Sequence, residues 1–143
     1  GRKFQLRGVP DIVIKFKNKN DGYGIIDFKT TNLSNTKSDN YKYQLEAYAQ
    51  IFKKPGATKT ASTPHLSPIT HMGVLQFFPE KIFKHQISNC DLKMQMSYSP
   101  LKRNEEDFFK HITNLINFLE QEKAPDFNSN CNYCKFVQGQ FNL

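Results

Sequence analysis

The sequence has 143 residues, 38% of them hydrophobic and 23% charged, the size and balance of one soluble globular domain with a modest core. No run approaches the roughly eighteen uncharged apolar residues of a membrane span, and the N-terminus lacks the apolar stretch of a secretory signal, so neither membrane insertion nor secretion is expected. Twenty Lys and Arg against thirteen Asp and Glu leave a net charge of +7, which favours a polyanionic partner, nucleic acid first, although charge serving solubility alone would look the same.

Three cysteines, Cys90, Cys131 and Cys134, cannot all pair, so a disulfide-framed scaffold is disfavoured and a reducing, cytoplasmic setting is expected. There is no internal repeat and no interior linker rich enough to split the chain, so a single domain over residues 1–143 is expected. Its least regular stretch, Lys53 to Pro68, carries Pro55, Gly56, Pro64 and Pro68 among Thr and Ser and reads as a long surface loop.

From the N-terminus, Val9 to Phe16 alternates at period two, with Ile12, Ile14 and Phe16 on one side and Asp11, Val13 and Lys15 on the other, as a strand does. Lys17 to Gly22 (KNKNDG) is a turn signal. Gly24 to Lys29 (GIIDFK) then reads as a second strand completing an antiparallel hairpin, with Ile26 and Phe28 on one face and Asp27 and Lys29 on the other.

Ser38 to Asn40 offer N-cap oxygens for a helix reaching about Phe52, on which Tyr41, Gln44, Leu45, Tyr48 and Phe52 share one face. Thr70 to Phe78 predicts a strand ended by Pro79, with weaker strands over Ile82 to Ile87 and Leu92 to Tyr98. Asn104 or the acids after it open another helix, with Phe108, Ile112, Leu115, Ile116 and Leu119 on one stripe and Pro125 beyond its end. The tail, Asp126 to Leu143, shows no periodicity.

Hydrolysis of a phosphodiester needs a divalent cation to activate water and offset charge on the phosphate, and Mg²⁺ prefers carboxylate and carbonyl oxygens. Asp11 and Asp27 can supply them: the hairpin brings one strand beside the other, and Lys29 projects from the same face as Asp27. Lys29 would then orient the water or help deprotonate it, and would balance negative charge in the transition state. The plainer reading makes Asp11 a turn cap and Asp27–Lys29 a surface ion pair. Gln44 adds context, because an amide on the packed face of a helix requires a polar partner inside, and Tyr48 lies one turn further along the same side.

Taken in order, Gly8 to Asp11 (GVPD), Ile25 to Thr30 (IIDFKT) and Tyr41 to Tyr48 (YKYQLEAY) resemble the PD-(D/E)XK nucleases, and within them the RecB-like branch that includes AddB-type nuclease domains and CRISPR-associated exonucleases. The resemblance implies an α/β fold, a mixed central sheet flanked by helices in a restriction-endonuclease-like core. It implies Asp11, Asp27 and the Phe28 carbonyl as metal ligands and Lys29 as the catalytic lysine. Gln44 and Tyr48 match the branch's Gln-x-x-x-Tyr motif, which organises the site and contacts DNA, and Thr30 closes the strand motif as a further substrate contact.

The implied cofactor is Mg²⁺, with Mn²⁺ as an alternative. The implied partner is DNA, acted on as an exonuclease in repair or recombination, with room for a helicase or recombination partner. The family's leading helix, with its acidic residue, has no counterpart in the ten residues before Asp11, so the expectation is that part of the domain lies outside this sequence.

Cys131 and Cys134 resemble the central C-x-x-C of iron–sulfur members of the branch, which need four cysteines. The place of the last is near Gln140, and Cys90 is wrongly placed for the first. An intact cluster is not expected; reduced thiols or a relic are. His65, His71, His85 and His111 have no ligand-like spacing. Two other function classes remain at this level: a binding module that keeps the nuclease fold without turnover, and a metal or redox protein built on Cys131 and Cys134, which two cysteines do not complete.

Overall fold

A computed structural model describes residues 4–18, 22–30, 38–57, 62–84, 90–123, 126 and 128–141. The chain separates into two compact units, Gly1–Phe109 and Lys110–Leu143. The first holds a four-stranded mixed sheet in the order β1-β2-β3-β4, formed by β1 (Ile12–Lys15), β2 (Tyr23–Thr30), β3 (Ile69–Lys84) and β4 (Cys90–Leu101). The α/β class and mixed sheet expected from the sequence are those found.

The hairpin closes where the Phe16 N–H donates to the Gly22 carbonyl at 3.1 Å, with Gly22 at φ 67°, a left-handed conformation that only glycine adopts without strain. Antiparallel pairing sets Ile12 opposite Ile26 and Lys15 opposite Tyr23. β2 then pairs with β3 in parallel, from Tyr23–Ile69 to Thr30–Phe77. A parallel pair cannot be joined by a tight turn, and the connection that crosses over the sheet contains α1 (Lys42–Lys53). That crossover lays α1 on one face of β2 and β3, where Leu45, Ala49 and Phe52 meet Ile25, Met72 and Val74 in the core. The residues sharing that face of β2 are Ile25, Asp27 and Lys29.

Three expectations are corrected. Ser38 to Asn40 do not cap α1: they wind with Tyr41 into a 3-10 turn (Ser38–Tyr41), and Tyr41, at φ −97° and ψ −2°, holds the cap position with no side-chain cap bond. Its backbone is already close to helical, not in the extended region where a capping side chain reaches back. Pro79 does not end β3, which continues to Lys84 through a register shift between Pro79 and Lys81. The β2 ladder reaches Phe77, and beyond it, among the described residues, β3 pairs with β4 alone, an arrangement in which a strand accommodates a missing N–H. The segment expected as a separate strand from Ile82 is thus the far end of β3, and residues 85–87 lie outside those described. The tail also contains a helix, α3 (Asn132–Phe141), which its sequence did not announce.

The second long helix, α2 (Glu105–Leu119), begins where expected. Asn104 accepts the Asp107 N–H at 3.0 Å through its side-chain oxygen, a regular N-cap. Along the expected stripe Phe108 is buried, while Leu115 and Leu119 are exposed. The loop after α1 holds a single bridge between Ala57 and Ser62 among its described residues, consistent with an irregular connection.

Candidate active site

The centre is Asp27, a carboxylate only 2% exposed on the α1 side of β2. One oxygen, Oδ1, accepts the Gln44 amide N–H at 3.3 Å. The other, Oδ2, faces the Lys29 ammonium in an ion pair but accepts no well-oriented hydrogen bond. Period two makes this possible, since residues two apart on a strand stand side by side.

Burial works against the charge of Lys29, but the close approach and charge of Asp27, helped at longer range by Tyr48 and Asp11, outweigh it and raise the pKa above the ordinary lysine value. Stability drawn from this pairing is present in full below that ordinary value and is lost as pH rises through the raised one. The Tyr41 ring lies 5.2 Å from the ammonium and covers a further side of it.

Asp11 lies in the bend just before β1. The β1–β2 ladder opens at Ile12–Ile26, so Asp11 comes one residue before it on one strand and Asp27 one residue after it on the other. Asp11 Oδ2 accepts the Phe28 backbone N–H at 2.6 Å, so the carboxylate rests against the peptide that follows Asp27. In an extended strand the N–H and C=O of one residue point to the same neighbour, which turns the Phe28 carbonyl towards that edge as well. Gly8 secures this segment to α1: its backbone lies so close to the Tyr48 ring that a Cβ there would collide with it.

Gln44 and Tyr48 follow from one turn of helix. Gln44 Nε2 also donates to the Tyr48 hydroxyl at 2.8 Å, so one amide ties the tyrosine to the central carboxylate. A mostly apolar hollow of about 210 Å³, lined in part by Gly8, Pro10, Tyr48 and Phe52, opens beside them. Thr30 differs from the rest: it ends β2, exposed, and alternates onto the face of Phe28, away from Asp27 and Lys29.

If Gln44 positions Asp27, Gln44→Ala should cost about 1 kcal/mol of stability through the lost hydrogen bond. Turnover should fall by a much larger factor, on the order of 10- to 100-fold, as for other residues that orient a metal-binding carboxylate. Equal turnover in wild type and variant at matched thermal stability would reduce Gln44 to packing.

The donor set suits a hard divalent cation. Asp27 Oδ2 is a buried oxygen whose one partner among the described residues is the Lys29 ion pair, and the Asp11 carboxylate rests on the peptide that joins Asp27 to Phe28. Among the described residues no three His, Cys, Asp or Glu side chains gather closely enough to hold a metal between them, so the fit rests on two carboxylates and a carbonyl.

Cys131 and Cys134 belong to the second unit and are both free. Cys131 sits at the start of α3 and accepts the Cys134 N–H on its sulfur at 3.4 Å. Hydrogen bonds from the Cys134 backbone and side chain, then from the Tyr133 backbone, lower its thiol below the ordinary value. Among the described histidines, His71 packs tilted against Phe16, ring centroids 4.8 Å apart, and meets the Thr70 hydroxyl, and His85 lies outside the described residues.

Two groups escaped the sequence reading. Gln76 is 1% exposed on β3 and directly in register with Lys29, and its Nε2 has no hydrogen-bond partner. Its signal was an amide at an inward position between Val74 and Phe78. Glu46, 2% exposed on α1, receives Arg103 at 2.6 Å, Gln50 at 2.8 Å and the Asn104 N–H at 3.2 Å. Arg103 also donates to the Ile69 carbonyl at 3.2 Å, so this pair joins α1 to the entry of β3 and the start of α2. Nothing in the local sequence around Glu46 names Arg103 as its partner.

No curated protein and no solved structure matches the chain. One family model does, over residues 1–138. Members of that family hydrolyse phosphodiester bonds with divalent metals, usually Mg²⁺ or Mn²⁺, which is the chemistry the Asp11, Asp27 and Lys29 arrangement suits, and among the described residues no helix is long and apolar enough to cross a membrane. A match spanning nearly the whole chain, together with the mixed sheet and the acid–lysine pair on its second strand, establishes that this chain belongs to the PD-(D/E)XK nuclease superfamily.

Proposed function

We propose that this chain is a Mg²⁺-dependent deoxyribonuclease of the RecB-like branch that acts on DNA ends, with Mn²⁺ able to replace Mg²⁺. The observation carrying this reading is the buried Asp27 oxygen without a directed hydrogen bond, flanked by the Lys29 ammonium and by the Asp11 carboxylate on the next peptide. A protein using Asp27 and Lys29 only as an ion pair has no reason to bury the carboxylate so deeply, because desolvating such a pair gives back as much as it gains.

The roles follow from position. Asp11, Asp27 and the Phe28 carbonyl hold the cation, which when bound supplies a Lewis acid and a concentrated positive charge beside the scissile phosphate. Lys29 orients the attacking water and offsets the charge that builds on the phosphate oxygens. Gln44 keeps Asp27 in orientation through Oδ1 and holds the Tyr48 hydroxyl, leaving the ring to border the apolar hollow where a nucleoside can rest. The net charge of +7 attracts the DNA backbone, and the free thiols of Cys131 and Cys134 accord with a reducing, cytoplasmic setting. In this reading residues 1–143 serve one nuclease domain that works beside a helicase or recombination partner.

A second reading, a DNA-binding module without turnover, draws support from one observation: among the described residues only two acidic side chains meet at the site. Cleavage assays separate the two. Linear duplex and closed circular DNA are incubated with the protein and Mg²⁺, with and without excess chelator. The proposal expects loss of the linear substrate from its ends, little change in the circle, and no reaction in chelator. Retention of both substrates with salt-sensitive binding would establish the second reading instead, and cleavage that persists in chelator would overturn the metal-dependent chemistry.

A further inference from the structure

Among the described residues two buried side-chain polar atoms stand without a well-oriented hydrogen bond: Asp27 Oδ2, which has the Lys29 ion pair, and Gln76 Nε2, which has no partner. Both flank Lys29. Asp27 precedes it by two residues on β2, and Gln76 sits across the parallel ladder in register with it, on strands about 4.8 Å apart. Both lie on the sheet face that α1 covers, since Gln76 shares its strand face with the core residues Met72 and Val74. On that strand the nearest inward neighbours of Gln76 are Val74 and Phe78, which offer an amide nothing.

We propose that Gln76 is a positioning residue for Lys29: with Asp27 Oδ2 engaged by a divalent cation, the Lys29 ammonium transfers to the Gln76 amide oxygen. The inference rests on the nuclease reading above. Its logic is a competition for one oxygen. Lys29 and a cation both require Asp27 Oδ2, and two positive charges cannot share it closely, so the ammonium must find another acceptor or oppose the cation.

The lysine stem is long and flexible enough to swing sideways by one strand. A half-turn of the Gln76 amide exchanges Nε2 for Oε1, turning a donor that finds no acceptor into an acceptor for Nζ. Tyr41, stacked 5.2 Å from the ammonium, can stay in contact through the movement. Burying an unpaired amide costs folding free energy that leucine at the same place would not, so Gln76 is best understood as a group completed only in the cation-bound state.

The test titrates Mn²⁺ alone into wild type, Gln76→Leu and Gln76→Glu by calorimetry and follows thermal melting of each in chelator. Gln76→Leu should melt at the same or a higher temperature without cation, yet bind Mn²⁺ about tenfold more weakly, the scale set by loss of an outer-shell partner. Gln76→Glu, which keeps an acceptor for Lys29, should bind at least as tightly as wild type. If Gln76→Leu proves poorly folded, Gln76→Met carries the same expectation.

Affinity within about twofold of wild type in the apolar variant, or equal weakening in Gln76→Glu, overturns the role of Gln76. Those outcomes presuppose a wild type that binds Mn²⁺ and cleaves DNA. A wild type that does neither overturns the nuclease reading itself, and the two failures are thereby distinct.

Discussion

Asp27→Asn should lower the rate of DNA cleavage by roughly 10² to 10³-fold or more, the loss typical when one fixed charge-stabilising group leaves an enclosed site. The substitution keeps the shape of the side chain and its contact with Gln44 but removes the charge by which Asp27 would hold the proposed cation. Stability should change little, because the variant relieves a buried carboxylate that is only 2% exposed.

Lys29→Met behaves differently on folding. It leaves the Asp27 carboxylate buried without its counter-charge, so the expected loss combines inactivity with about 3 kcal/mol or more of stability. Combining Asp27→Asn with Lys29→Met should recover most of that stability and none of the activity. Turnover at saturating Mg²⁺, paired with urea unfolding of the same preparations, measures both arms. Asp27→Asn with cleavage within a few-fold of wild type would falsify the assignment of Asp27 as a cation ligand.

Arg103→Met should destabilise the first unit by about 3 to 5 kcal/mol, the cost of removing one partner from a buried ion pair. Glu46 would keep the Gln50 amide and the Asn104 N–H but lose the guanidinium that pairs with it at 2.6 Å. The Ile69 carbonyl would lose its Arg103 donor as well. In thermal melting that corresponds to a fall of about 10 °C or more for a unit of this size.

The consequence reaches the site because Glu46 lies between Gln44 and Tyr48 on α1. A helix less firmly tied to β3 presents both less steadily to Asp27, so turnover should fall together with stability. Replacing the pair jointly, Glu46→Leu with Arg103→Met, should restore much of the stability, since well-packed apolar groups replace buried ion pairs at little cost. A single Arg103→Met variant that melts with wild type would show the pair to be dispensable.

The parts of this molecule legible in the sequence are those whose rule is local. Period two in Ile25 to Lys29 set Asp27 and Lys29 on one face, the KNKNDG turn signal announced the antiparallel pairing of β1 and β2, and helical spacing put Gln44 and Tyr48 on the packed side of α1. Asn104 announced the start of α2 because a cap is a contact three residues long. Together with three short motifs in order, these mark the sheet class and a superfamily of nucleases in the sequence itself.

Tertiary structure decided what depends on neighbours distant along the chain. Pro79 reads locally as a strand terminator, yet β3 runs on past it through a register shift, paired among the described residues with β4 beyond Phe77, which is a matter of sheet topology. Likewise, Glu46 finds Arg103 across a sequence separation of 57 residues, and Gln76 comes beside Lys29 only through the parallel register that the α1 crossover creates. Asp11 illustrates the division within one residue: its sequence offered a carboxylate near a strand, but the chain reversal and the register chose the Phe28 peptide as its partner. Alternation and helical phase are properties of a few consecutive dihedral angles and are written locally, whereas register, burial and the pairing of charges arise only when distant segments compete for the same interior space.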